Sequence, residues 1–382
     1  MRFNDILGQE KVKEQLIKLA DSGRVPHAQL YYGPEGTGAL PLALAFAQYL
    51  NCEQTFGGDS CGHCPSCIKA SKLLHPDIHF TYPVINKKAG EKPVSTDFIV
   101  EWRTAVEANP YMNAHEWLVY LNEGILPGDE STAGSTSKQG NITVRECQEI
   151  IKKLKLKSFE GKYKILIIWM PEYLRETGNI LLKLLEEPPD NTVIILAAED
   201  TDQILNTIQS RTQLFKLYRI EADLIKQRLI EEFQAEESTA KQATQLANGS
   251  FNEARKLVAN IENDNQKIFE HWIILCSRDA GIEIVDIINQ ISKLGKEQQK
   301  NLLQYALYAI RGQLVEGIGL ESLAFLKSLD AESIERLTAL FDSGIYAIER
   351  NANVKILFHD LSIQLKNIIT KQEVEKPDFV QI

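Results

Sequence analysis

The chain has 382 residues, 44% of them apolar and 25% charged, with a formal net charge of -10. That length accommodates two or three domains with several hydrophobic cores. The acidic balance speaks against a protein whose main work is coating nucleic acid, because such proteins carry a basic surplus. No uninterrupted apolar run approaches the roughly 18 residues of a membrane helix, and the opening MRFNDILGQE has no apolar stretch behind Arg2. A cytoplasmic location is therefore expected, with the cysteines reduced.

From the start of the chain, KVKEQLIKLADSG has helical spacing and ends at Gly23. HAQLYYG predicts a short strand that runs into a glycine loop. LPLALAFAQYLN predicts a helix, with Pro41 tolerable in its first turn. HPDIHFTYPV reads as a second strand, VRECQEIIKKLKLK as an amphipathic helix, and YKILIIWM as a strand buried on both faces. TGNILLKLLEEPP predicts a helix stopped by Pro188 and Pro189, and NTVIILAAE another buried strand. Strands alternating with helices imply an α/β fold with a parallel sheet. Residues 84–140 interrupt the alternation as an insertion. WRTAVEANPYMNAHEWLVYL within it suits short helices, and LPGDESTAGSTSKQGN suits a mobile loop. Beyond about residue 217 the strand signals fade. IEADLIKQRLIEEFQ, STAKQATQLANGS and FNEARKLVANIEN suit a small helical domain, and the chain from about 265 suits a larger helical bundle. The expected domains are 1–216, 217–264 and 265–382.

Three constellations carry chemistry. Cys52, Cys61, Cys64 and Cys67 lie in CEQTFGGDSCGHCPSC, where two C-x-x-C steps share Cys64. Four thiolates on one glycine-containing loop can close a tetrahedral zinc site, and four protein ligands leave no open position, so the expected metal is structural. Free thiols or a redox pair are the other reading. His63 could replace one cysteine, and the isolated Cys147 and Cys276 suit a core.

The second constellation is GPEGTGAL at 33–40. Gly33, Gly36 and Gly38 keep the frame of a phosphate-binding loop, but Ala39 and Leu40 stand where a lysine would reach phosphate and a hydroxyl would hold magnesium. A metal-holding acid is also missing at the end of YKILIIWM, which runs into Met170 and Pro171 before Glu172. Two losses together predict that the loop supports no hydrolysis, and no bound ATP is expected. The third is Ser-Arg-Thr at 210–212, where Arg211 is either a solvated side chain or an arginine supplied to a neighbouring subunit.

Together these residues resemble the delta-prime family of bacterial DNA polymerase III clamp-loader subunits, within the AAA+ superfamily. FNDILGQE, RVPHAQLYYGPEGTG, the four-cysteine module, HPDIHF, NILLKLLEEPP and IQSRTQLFKL carry the likeness, which covers about 1–83 and 141–255. Thr212 stands where the family has a cysteine. An active motor of that superfamily would carry lysine at 39, a hydroxyl at 40, acids at Ile168 and Trp169, and a sensor arginine at Asn252. The resemblance therefore implies a non-catalytic subunit that helps load the sliding clamp onto primed DNA. It also implies a helical lid after the α/β domain and a C-terminal collar. Its partners would be the gamma/tau motor subunits and the delta subunit. Arg211 would act in trans on a neighbour's ATP. Two other readings stand beside it, an autonomous ATPase with an atypical loop and a zinc-containing nucleic-acid binder. Lys152, Lys153, Lys155 and Lys157 form a basic run that could serve the latter, but such a run is ordinarily a solvated helix face.

Overall fold

Five parallel strands form the centre of the first part of the chain: β1 (Ala28–Tyr32), β2 (Ile78–Thr81), β3 (Lys164–Trp169), β4 (Thr192–Ala198) and β5 (Gln213–Lys216), in the order β2-β3-β4-β1-β5. In register, Leu30 lies beside Leu196 and Leu214, and Ile167 beside Ile195 and Phe80. These are features of a computed structural model that describes residues 1–86, 92–128, 139–261, 265–278, 281–315, 329–350 and 352–370. They fall into two units, Met1–Lys256 and Leu257–Ile382.

The strands read as unbroken apolar runs because both faces of the sheet are covered. Ile165, Ile167, Trp169, Val193, Ile195 and Ala197 face one core, and Leu166, Ile168, Ile194 and Leu196 the other. The first core is closed by α1 (Glu10–Asp21) and α2 (Ala39–Leu50), with α3 (Pro65–Ser71), α4 (Ile99–Ala108) and α5 (Ala114–Glu123) around it. The second is closed by α6 (Val144–Lys155), a 3-10 segment at Pro171–Leu181, α7 (Leu182–Glu186) and α8 (Asn206–Gln209). In α6, Thr143 caps the Glu146 amide, and Cys147, Ile150 and Leu154 form the buried stripe. Lys152, Lys155 and Lys157 are exposed, and Lys153 is half-buried.

The helix expected over TGNILLKLLEEPP is regular only from Leu182. The preceding turns are 3-10 and kinked at Arg175, whose φ is 47°. The Thr177 hydroxyl bonds the Leu174 and Ile142 carbonyls, a local alternative to the helical ladder. β5 and α3 have no counterpart in the sequence pattern. Only Phe215 of β5 is buried, so an edge strand leaves too little apolar alternation to read.

The described residues of the 84–140 stretch enter the core. Trp102 of α4 is fully buried, stacks on Tyr82 at 4.1 Å and 15°, and meets Trp117 of α5 and Trp169 of β3 at 5.3 and 5.2 Å. The Trp117 indole donates to the Pro83 carbonyl at 2.7 Å. Of the stretch expected to be mobile, residues 129–138 lie outside the described residues. After β5 come α9 (Ala222–Phe233), α10 (Glu237–Ala247) and α11 (Phe251–Ile261). The second unit contains α12 (Asn265–Arg278), α13 (Gly281–Ile291), α14 (Lys296–Val315), α15 (Ala331–Glu349) and α16 (Val354–Thr370). Its core holds Trp272, Phe269, Phe341 and Phe358, and the Trp272 indole donates to the Ser362 hydroxyl at 2.9 Å. Cys147 and Cys276 are both buried core residues, as expected.

Candidate functional site

The glycine loop joins β1 to α2, the position in which loop amides and a helix N-terminus receive phosphate. Gly36 and Gly38 have φ of 73° and 100°, a left-handed backbone that side chains other than glycine rarely adopt. The space over the loop is taken by the protein itself. The start of α11 lies against Gly36, whose carbonyl accepts the Phe251 amide at 3.1 Å; a Cβ on Gly36 would collide with Ser250 and stand 3.1 Å from the Asn252 amide. Tyr111 covers Gly38, packs edge-on against Phe251 at 5.0 Å, and its hydroxyl accepts the Leu7 amide at 2.9 Å. The cavity left along Gly33, Gly36, Gly38, Ala39 and Leu40 is about 20 Å³. That is room for about one water.

A polar network closes this arrangement. The buried Asn252 side chain donates to Glu116 Oε2 at 2.7 Å and Glu35 Oε1 at 3.4 Å, and accepts from Asn109 Nδ2 at 2.6 Å. Asn113 donates to Glu35 at 2.7 Å and forms a capping box with Glu116 at the start of α5. Lys256 stands 3.6 Å from Glu116. Glu199, at the end of β4, is held well above the usual carboxylate range by burial, reinforced by the charges of Glu35, Glu172 and Glu116. Glu172 accepts the Glu199 and Asp200 amides at 2.7 and 2.9 Å, yet burial still raises its pKa. Glu35, Glu116, Glu172 and Glu199 thus act on one another beyond the end of β4. Asn109, Tyr111, Asn113, Glu116, Glu35 and Glu199 were not singled out from sequence. The N-x-x-E spacing of Asn113 and Glu116 is a capping signal, but nothing in it says which loop the cap will face.

The sulfurs of Cys52, Cys61, Cys64 and Cys67 all lie within 4.8 Å of one another. Cys61 and Cys67 are 3.9 Å apart, against an edge of about 3.8 Å for a tetrahedron with 2.3 Å zinc–sulfur bonds. The amides of Cys61, Cys64 and Cys67 donate to the sulfurs of Cys52, Cys61 and Cys64 at 3.2, 3.3 and 3.4 Å. Burial works against ionisation of Cys61, but the His63 and Cys64 amides outweigh it and bring the thiol down to about 6. Burial pushes Cys67 up, and the neighbouring sulfurs of Cys64 and Cys52 add to it. His63 turns its Nδ1 to the Cys61 carbonyl at 2.9 Å and is absent from the cluster. Asp59 secures the loop to the start of the chain by accepting the Phe3 and Asn4 amides at 3.0 and 2.9 Å.

Arg211 follows α8. Its Nε and Nη2 both meet Glu186 Oε1 at 2.6 Å, and Nη1 donates to the Thr207 carbonyl at 2.8 Å and contacts the Ser210 hydroxyl at 3.4 Å. The side chain is 32% exposed and that of Glu186 48%. Thr212 bonds the Gln209 carbonyl at 2.9 Å.

A parallel sheet with a glycine loop between its first strand and second helix, covered on both faces, defines an α/β protein of the phosphate-loop type. The chain belongs to the family described as DNA polymerase III, delta subunit, whose model matches residues 8–221. It is similar to DNA polymerase III subunit tau of Bacillus subtilis, with 26% identity over 324 residues, 83% of this chain and 46% of that protein. Against DNA polymerase III subunit gamma of Buchnera aphidicola the identity is 27% over 267 residues, 68% of this chain and 59% of the other. The chain spans about half the length of these curated relatives. Among solved structures, a DNA polymerase III gamma subunit-related protein of Thermotoga maritima matches with a TM-score of 0.44 and 15% identity, covering 94% of this chain and 99% of that one. Among the described residues no helix is long and apolar enough to cross a membrane.

Proposed function

We propose that the chain is a non-hydrolysing, delta-prime-type subunit of a DNA polymerase III clamp loader. It keeps the AAA+ plan of an α/β domain (1–216), a helical lid (217–264) and a collar (265–382), without using ATP itself. The observation that carries this reading is the 20 Å³ cavity over a loop filled by Tyr111, Ser250 and Asn252. The substitutions at Ala39 and Leu40 agree with it, as do Ile168 and Trp169, buried at the end of β3. The four cysteines hold a structural zinc ion, which supplies a crosslink and no chemistry. Arg211 acts in trans on the ATP of a neighbouring gamma/tau-type motor. A delta-type subunit, the sliding clamp and primed DNA are engaged through the complex.

The test is a reconstitution with motor subunits. The chain alone should bind no ATP and turn none over. Arg211→Ala should leave assembly intact and lower DNA-stimulated ATPase at the site it serves by roughly tenfold or more. Unchanged ATPase would remove Arg211 from the mechanism. Turnover by the isolated chain that disappears in Glu172→Ala would establish the autonomous ATPase instead.

A further inference from the structure

We propose that Glu186 parks Arg211 on its own subunit, and that engagement of a neighbour's nucleotide trades this carboxylate for phosphate. The inference rests on the reading of Arg211 as a donor in trans and adds to it a partner residue and a switch.

The guanidinium is committed in the chain as it stands. Two nitrogens share Glu186 Oε1 at 2.6 Å, and the third is turned back onto the Thr207 carbonyl and the Ser210 hydroxyl. Thr207 lies four residues before Arg211 within the single turn of α8, so the side chain folds back over the turn that precedes it. Glu186 comes from a different element. It is the last residue of α7, and Glu187 leaves the helix ahead of Pro188 and Pro189. The LLEEPP stretch and the Ser-Arg pair, far apart in sequence, thus meet at one ion pair.

An arginine that stabilises a transferred phosphoryl group must present its nitrogens to oxygens outside its own chain. Here that requires leaving both Glu186 and Thr207. The pair is half open to water, so its hold is modest and reversible. The exchange preserves charge pairing, because one anion replaces another on the same guanidinium. Glu186 touches neither nucleotide nor reacting atoms in this scheme and acts only through Arg211.

The experiment uses the reconstituted complex at sub-saturating ATP with primed DNA, comparing wild type, Glu186→Gln, Arg211→Ala and the double variant. Glu186→Gln keeps the shape and removes the charge, at a position open enough that folding is not at stake. DNA-stimulated ATPase is expected to rise by about two- to fivefold, the range that an exposed ion pair can contribute. The gain should shrink at high salt, which screens the pair. It should also vanish in the Arg211→Ala background. A Glu186→Gln complex equal to wild type, while Arg211→Ala is impaired, overturns the parking role and leaves the trans role standing. A Glu186→Gln complex as impaired as Arg211→Ala makes Glu186 a prop and also overturns it. No effect of Arg211→Ala removes the underlying reading itself.

Discussion

Asn252 has its side chain fully buried among Asn109, Glu116 and Glu35, and on the proposed reading it stands where an active motor would carry an arginine. A neutral carboxamide suits that spot because it both donates to Glu116 and Glu35 and accepts from Asn109. The substitution was visible in the sequence, but its new neighbours were not, since Asn109 and Glu116 lie about 140 residues away in the chain. Glu199 shows what the surrounding acids cost. Its folded pKa is raised, by burial first and then by Glu35, Glu172 and Glu116, so the native state holds its proton more tightly than the unfolded chain does. Stability from this group is therefore full below the ordinary carboxylate pKa and falls as pH rises from there through the folded value. Glu199→Gln mimics the protonated form. It should raise the melting temperature at pH 7, change it little at pH 4, and flatten the decline between. A lower melting temperature at neutral pH would contradict this account.

The cysteine loop was the most legible element. Two overlapping C-x-x-C steps and a fourth cysteine fix which sulfurs can meet, and the structure brings together those four and leaves out His63. What the spacing did not reveal is the loop's attachment, because Asp59 looks like any surface acid until its carboxylate is seen receiving Phe3 and Asn4. Loss of metal should therefore be felt at the N-terminus. Cys64→Ser is expected to lower a content of about one zinc per chain and to speed amide exchange at Phe3 and Asn4. A metal-free wild type of undiminished stability would rule out the zinc. The helix expected over TGNILLKLLEEPP is the opposite case. Its periodicity is helical throughout, but tight packing of Gly178 under Ile208 and the Thr177 hydroxyl bonds favour 3-10 turns until Leu182. Tertiary packing overrides local preference there.

For the whole molecule, the sequence supported the parallel sheet and the change to helices, because buried strands and amphipathic helices have distinct periods. The short helices expected over WRTAVEANPYMNAHEWLVYL are present as α4 and α5, but the aromatic residues there carry no period that tells a core from a surface helix. In the structure α4 and α5 help complete one face of the sheet, so Trp102→Ala should cost the first unit about 3–5 kcal/mol. Unfolding followed by probes in each unit should show the Met1–Lys256 transition shifted and that of Leu257–Ile382 unmoved. A surface-sized effect, below about 0.5 kcal/mol, would mean that this cluster is not a core. The filled loop has a further consequence for how such a chain changes over generations. Deleting a lysine is a loss that one codon can reverse. Here the loop glycines are overlain by two distant parts of the sequence, Tyr111 over Gly38 and Ser250 with Asn252 against Gly36. On the proposed reading, restoring a phosphate site would need both parts to retreat at once, so the silence of the loop would be held in place by construction.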